Sequence, residues 1–189
     1  MPDRTVNIIG VGNLLMGDDG VGPAAVERLS ARRLPPGVRV LDAGLAVSDV
    51  LGTLDPADPL IVIDAVRGGG AAGTVYEVRL DPAPPGPSPA MSGRSPAAEG
   101  DADGTALSLH ELSVLPALRL EAVTGRVFED VTVLGVEPAK VAWGEGLSPA
   151  VEEAMGRVVE AALVRARQAS RWRGRARRRG RGAAASIRR

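Results

Sequence analysis

The 189-residue chain contains no cysteine, which removes disulfides, thiolate metal sites and a cysteine nucleophile from its possible chemistry. Histidine and lysine are reduced to one residue each, His110 and Lys140. No run of 18 apolar residues exists, so no segment is expected to span a bilayer. Only Met1 and Pro2 precede the charged pair Asp3 and Arg4, and no signal-type apolar segment follows. A soluble cytoplasmic protein with no membrane partner is therefore expected. Internal repeats are absent too. Three nucleotide or nucleophile motifs fail. Gly10-Val11-Gly12 opens a dinucleotide-like loop, but Leu15 stands where its third glycine belongs, and the acids beyond would repel a pyrophosphate. Lys140 is far from any P-loop, and no serine lies in a G-x-S-x-G elbow.

What is present suits one globular domain with a substantial core, since 44% of the residues are apolar. The formal net charge of zero conceals a split. Up to Val164 the chain carries 12 basic and 23 acidic residues, and from Arg165 onward 11 arginines and no acid. It is an acidic body with a basic appendage. A single domain is expected over residues 1–170, with an arginine-rich tail, 171–189, that has no apolar period and is expected to be disordered.

Apolar runs set the order of elements. Thr5 to Val11 reads as a buried strand, Gly20 to Arg33 as a helix with Pro23 in its first turn, and Val38 to Ala43 as a second strand. Leu45 to Leu54 reads as a short helix. Leu60 to Val66 is apolar without alternation, as in a central strand covered on both faces. A glycine-rich link too short for a helical crossover leads to a strand at Thr74 to Leu80, which is expected to form a hairpin with its predecessor. Asp81 to Gly104 carries six prolines and is expected to be a flexible loop within the domain. Leu107 to Thr124 has helical character, with Pro116 expected to kink or divide it. Val131 to Glu137 is the last strand, and Ser148 starts a long helix reaching about Ala169. The fold class is α/β, a three-layer α/β/α sandwich with a mostly parallel five-stranded twisted sheet and one antiparallel edge strand.

Ligands of open α/β sheets bind outside the carboxyl ends of the strands, and the acids of this chain collect there. Asp18 and Asp19 follow the first strand, Asp42 ends the second, Asp64 ends the third, and Glu137 ends the last. Asp64 is the most informative, because a carboxylate in an apolar central strand is costly to bury unless it is paired or bound to metal. Each acid taken singly also fits a helix cap. Ser108 and Glu111 are spaced as a capping box, which would put His110 in the first turn of a helix, where the positive helix end favours the neutral, metal-ligating ring. A mixed carboxylate and imidazole metal site follows, suited to nickel, zinc, manganese or iron.

The run from Gly10 to Gly22, GVGNLLMGDDGVG, resembles the opening signature of the [NiFe]-hydrogenase maturation endopeptidases. Asp42-Ala43-Gly44, Ile63-Asp64-Ala65, Leu109-His110-Glu111-Leu112, and Gly135-Val136-Glu137-Pro138 with Gly146-Leu147-Ser148 resemble that family's later motifs in order. The resemblance covers Val6 to Val164. It implies an endopeptidase that removes a C-terminal peptide from the large-subunit precursor of a [NiFe]-hydrogenase, with nickel already loaded and serving as the recognition element. It places the metal-binding positions on Asp19, Asp64 and His110, with Asp19 standing where some members have Glu. Asp42 falls on the second acidic turn and is expected to orient or activate the attacking water, so the catalytic set is Asp19, Asp42, Asp64 and His110. Nickel is expected to arrive with the substrate, although other divalent metals could occupy the ligands. The expected partner is the precursor, the expected state a monomer, and no nucleic-acid role is expected. Two alternatives stay open: a non-catalytic metal-binding chaperone, and a metal-assisted peptidase acting on another protein.

Overall fold

The apolar runs of the sequence become the strands of one five-stranded sheet in the computed structural model, which describes residues 5–80 and 114–180, the side chains of 171–180 excepted. β1 (Val6–Val11), β3 (Leu60–Ala65) and β5 (Val131–Val136) are buried almost throughout. Residues covered on both faces need no polar alternation, which is why these segments read as continuous apolar runs. β2 (Val38–Gly44) and β4 (Val75–Leu80) lie at the edges of the order β2-β1-β3-β5-β4; β2 mixes buried with exposed positions, and β4 has only half-buried and exposed ones.

Among the described residues, two helices cover each face. α1 (Val21–Ser30) and α4 (Pro149–Gly180) pack Val21, Ala25, Leu29, Val151, Met155 and Val158 against Ile8, Ile61, Ile63 and Leu134. α2 (Val47–Gly52) and α3 (Val114–Val123) pack Val47, Leu51, Val114 and Ala117 against Ile9, Val11, Val62 and Val133 on the opposite face. The side chains separate by strand parity, even positions of β1 to one layer and odd positions to the other. Each fully buried Leu or Ile contributes about 1.5–3 kcal/mol relative to exposure, so the two layers dominate the stability of the domain. The expected three-layer α/β/α sandwich is the observed architecture.

Three local expectations are revised. β4 runs antiparallel, but it bonds to β5 and forms no hairpin with β3. β5 inserts between them, and the link from Val66 to Thr74 is long enough to span two strand spacings, about 10 Å. Pro116 does not divide α3 among the described residues. It is the third residue of the described helix, which continues to Val123. α4 extends past Ala169 to Gly180, through a segment rich in arginine, a good helix former. The proline-rich segment Asp81 to Gly104, His110 and residues 181–189 lie outside the described residues.

Candidate functional site

β1 is flanked by β2 on one side and β3 on the other. The chain leaves β1 through α1 on one face, and leaves β2 through α2 on the opposite face. The carboxyl ends of β1 and β3 therefore form the switch point at which open α/β sheets hold ligands. An open cleft of about 260 Å³ lies there, lined by Gly12, Asp19, Gly44, Leu45, Asp64 and Pro116 among others.

The turn after β1 is built by backbone approach. Gly12 has φ of 125°, and a Cβ there would collide with the Asp19 carbonyl. A Cβ on Gly22 would collide with the backbone of Val11, so α1 begins directly against β1. Between these glycines, Asp18–Gly20 forms a single 3-10 turn. Asp19 faces the cleft, half-buried, and its Oδ2 accepts the Asn13 amide at 2.8 Å. Asp64, only 2% exposed, lines the same cleft from β3. The structure thus brings together two of the three expected metal ligands. The third, His110, lies outside the described residues, and among the described residues no three His, Asp or Glu side chains gather as a metal-binding group.

The remaining acids have other work. Asp42 is exposed and does not line the cleft. Its Oδ1 accepts the Gly44 amide at 2.9 Å in an Asx turn, and Gly44 takes a φ of 47° behind it. Asp18 is 1% exposed. Its Oδ1 accepts the Ser148 amide at 2.6 Å, and its Oδ2 accepts the amides of Ala139 and Lys140 and the Ser148 hydroxyl at 2.8–3.0 Å. Burial pushes the Asp18 carboxyl up, but the bonds from Ser148, Lys140 and Ala139 outweigh it and hold the group below its ordinary 3.8. Glu137 is also buried, and one oxygen, Oε2, accepts the Gly68 amide at 2.6 Å, the Tyr76 hydroxyl at 2.8 Å and the Gly70 amide at 3.3 Å. Burial raises this carboxyl, and the bonds from Gly68, Tyr76 and Gly70 together with the nearby Arg67 charge more than reverse it, leaving it below 4.5.

The loop that Asp18 holds, residues 138–148, zips onto the β1–α1 turn through backbone bonds, Gly17 N to Gly144 O and Gly144 N to Leu15 O, both 2.9 Å. Trp143, 79% exposed, projects from that loop, and the exposed Leu14 and Leu15 project from the turn.

A family model described as HycI, hydrogenase maturation protease, matches residues 23–92. The hydrogenase 2 maturation protease of Escherichia coli strain K12 is 34% identical over 147 residues, which are 77% of this chain and 80% of that protein. The chain belongs to the hydrogenase maturation protease family. The solved structure of the hydrogenase maturating endopeptidase HybD from E. coli aligns with a TM-score of 0.66 at 29% identity, covering 87% of this chain and 93% of that one. The hydrogenase expression/formation protein HupM of Azotobacter chroococcum mcd 1 is 37% identical over 135 residues, 71% of this chain. The chain spans between 57% and 65% of the length of three curated relatives, HupM among them.

Two structural hubs of this family member escape a sequence reading. Arg126 donates to the carbonyls of Leu51, Gly52 and Leu54 at the end of α2 while pairing with Glu121 on α3, so it fastens the two helices that wall the cleft. Arg165 joins α4 to Thr132 and Asp130 at the start of β5. Apart from Glu121, five residues before Arg126, the partners lie more than thirty positions away and carry no local signature.

Proposed function

We propose that the chain is an endopeptidase that removes a C-terminal peptide from the nickel-loaded large-subunit precursor of a [NiFe]-hydrogenase. In this reading nickel is cargo on the substrate, and Asp19, Asp64 and His110 are the groups that recognise it. The observation that carries the reading is the convergence of Asp19 and Asp64 on one cleft at the sheet's switch point, in a member of the hydrogenase maturation protease family. Carboxylate and imidazole donors fit a divalent first-row cation, and three of them leave positions open for ligands the metal already holds.

Asp42 has the role of orienting or activating the attacking water. Its Asx turn ties the carboxylate to Gly44, which lines the cleft, and uses one of about four acceptor sites. A metal held between precursor and protease supplies charge that polarises a carbonyl or a water, and no serine or cysteine nucleophile is then needed. Leu45 lines the cleft, and Leu14, Leu15 and Trp143 are exposed on the β1–α1 turn and the loop zipped onto it, an apolar surface suited to a protein substrate. The reaction takes place in the cytoplasm, with the protease acting as a monomer.

Incubating the chain with nickel-loaded and nickel-free precursor, followed by intact-mass spectrometry, tests the proposal. Loss of the C-terminal peptide from the nickel-loaded form alone is expected. Cleavage of both forms would assign a peptidase indifferent to nickel, and nickel-dependent association with unchanged mass would assign a binding protein.

A further inference from the structure

Asp18 and Asp19 are neighbours with opposite environments, and the turn that contains them is only three residues long. In a 3-10 turn successive side chains point about 120° apart. Asp18 is locked into the loop 139–148 by four hydrogen bonds, and Asp19 faces the cleft. Fixing one direction therefore fixes the other. The coupling reaches the first helical residues of α4, because two of the four bonds come from Ser148, immediately before Pro149. From this geometry we infer that Asp18 is a positioning residue, which sets the Asp19 carboxylate against the cleft by anchoring the β1–α1 turn to the β5–α4 loop. It contributes no ligand of its own, since its two oxygens are turned away from the cleft into four donors.

The Asn13 amide reports the position of Asp19, because it donates to Asp19 Oδ2 at 2.8 Å. Amide hydrogen exchange followed by NMR at neutral pH reads that bond without metal or substrate. Asp18→Asn is expected to accelerate exchange at Asn13 by about tenfold or more. Glu137→Gln perturbs a hub whose partners, Gly68, Gly70 and Tyr76, do not line the cleft, and is expected to leave Asn13 exchange unchanged. Unchanged Asn13 exchange in folded Asp18→Asn, or equal acceleration in Glu137→Gln, would overturn the inference. If Asp18→Asn does not fold, Ser148→Ala decides: it removes one of the four bonds, is expected to accelerate Asn13 exchange to a smaller degree, and overturns the inference if it does not. A second arm rests on the proposed nickel recognition. Calorimetric titration with nickel is expected to show about tenfold weaker binding to Asp18→Asn, in line with the loss of an outer-sphere partner. Wild-type affinity in folded Asp18→Asn would overturn the inference. Faster Asn13 exchange combined with no nickel binding by the wild type would sustain the positioning role while removing the proposed nickel site.

Discussion

Replacing each of the two buried hub carboxylates by its amide should have unequal consequences, and the reason lies in which oxygen each donor reaches. All three donors to Glu137 converge on Oε2. A glutamine can place its carbonyl oxygen there and keep every bond, losing only the charge. Charged acceptors are stronger than neutral ones by about 1 kcal/mol per bond, and the Gly70 bond is long, so Glu137→Gln should cost about 2 kcal/mol. Asp18 uses both oxygens. With an asparagine carbonyl facing Ala139, Lys140 and the Ser148 hydroxyl, the amide nitrogen must meet the Ser148 N–H, donor against donor. Three weakened bonds and one stranded buried amide amount to about 4 kcal/mol. At roughly 2–4 °C per kcal/mol, thermal unfolding should show Asp18→Asn down by about 10 °C and Glu137→Gln by about 5 °C. The contrast should also depend on pH. The Asp18 carboxyl titrates below 3.8 when folded and at about 3.8 when unfolded, so its stabilisation is complete at pH well above 3.8 and is lost as pH falls through the lower folded value. The gap between wild type and Asp18→Asn should therefore be constant near neutrality and close in acid. Equal costs for the two amides, or a gap that widens on acidification, would refute the reasoning.

Other perturbations probe the walls of the cleft and the exposed apolar surface of the loop after β5. Arg126→Ala should destabilise the domain by about 2–3 kcal/mol, because it strands partly buried carbonyls at the end of α2 and leaves Glu121 without its cation, and chemical denaturation would measure this. Trp143→Ala should leave the midpoint of unfolding within about 0.5 kcal/mol of wild type, since the side chain is almost wholly exposed. In precursor cleavage it should raise KM several-fold with little change in kcat, as expected for a group that binds the substrate's surface equally before and during reaction. An unchanged KM would remove Trp143 from the docking surface.

Much of the architecture is legible in the sequence because strands buried on both faces must be continuously apolar, and β1, β3 and β5 are. The turn after β1 is legible for a related reason, as Gly12 and Gly22 stand where no side chain fits. Strand order is another matter. Nothing local in Thr74 to Leu80 states that β5 will insert between it and β3, since register is set by pairing with residues more than fifty positions later. The acids illustrate the same limit. Asp18, Asp19, Asp42, Asp64 and Glu137 look alike as strand-end carboxylates, yet two are hubs, one closes an Asx turn, and only Asp19 and Asp64 line the cleft. What separates them is the direction of each side chain and the amides it meets, which come from loops far along the chain.

The central claim is that Asp19, Asp64 and His110 recognise nickel on the precursor. Its most direct test is the intact mass of nickel-loaded large-subunit precursor after incubation with wild type, Asp64→Ala and His110→Ala, each shown to be folded by circular dichroism. Loss of the C-terminal peptide with wild type and an uncut precursor with both variants is the predicted result. Full cleavage by either variant would contradict the claim.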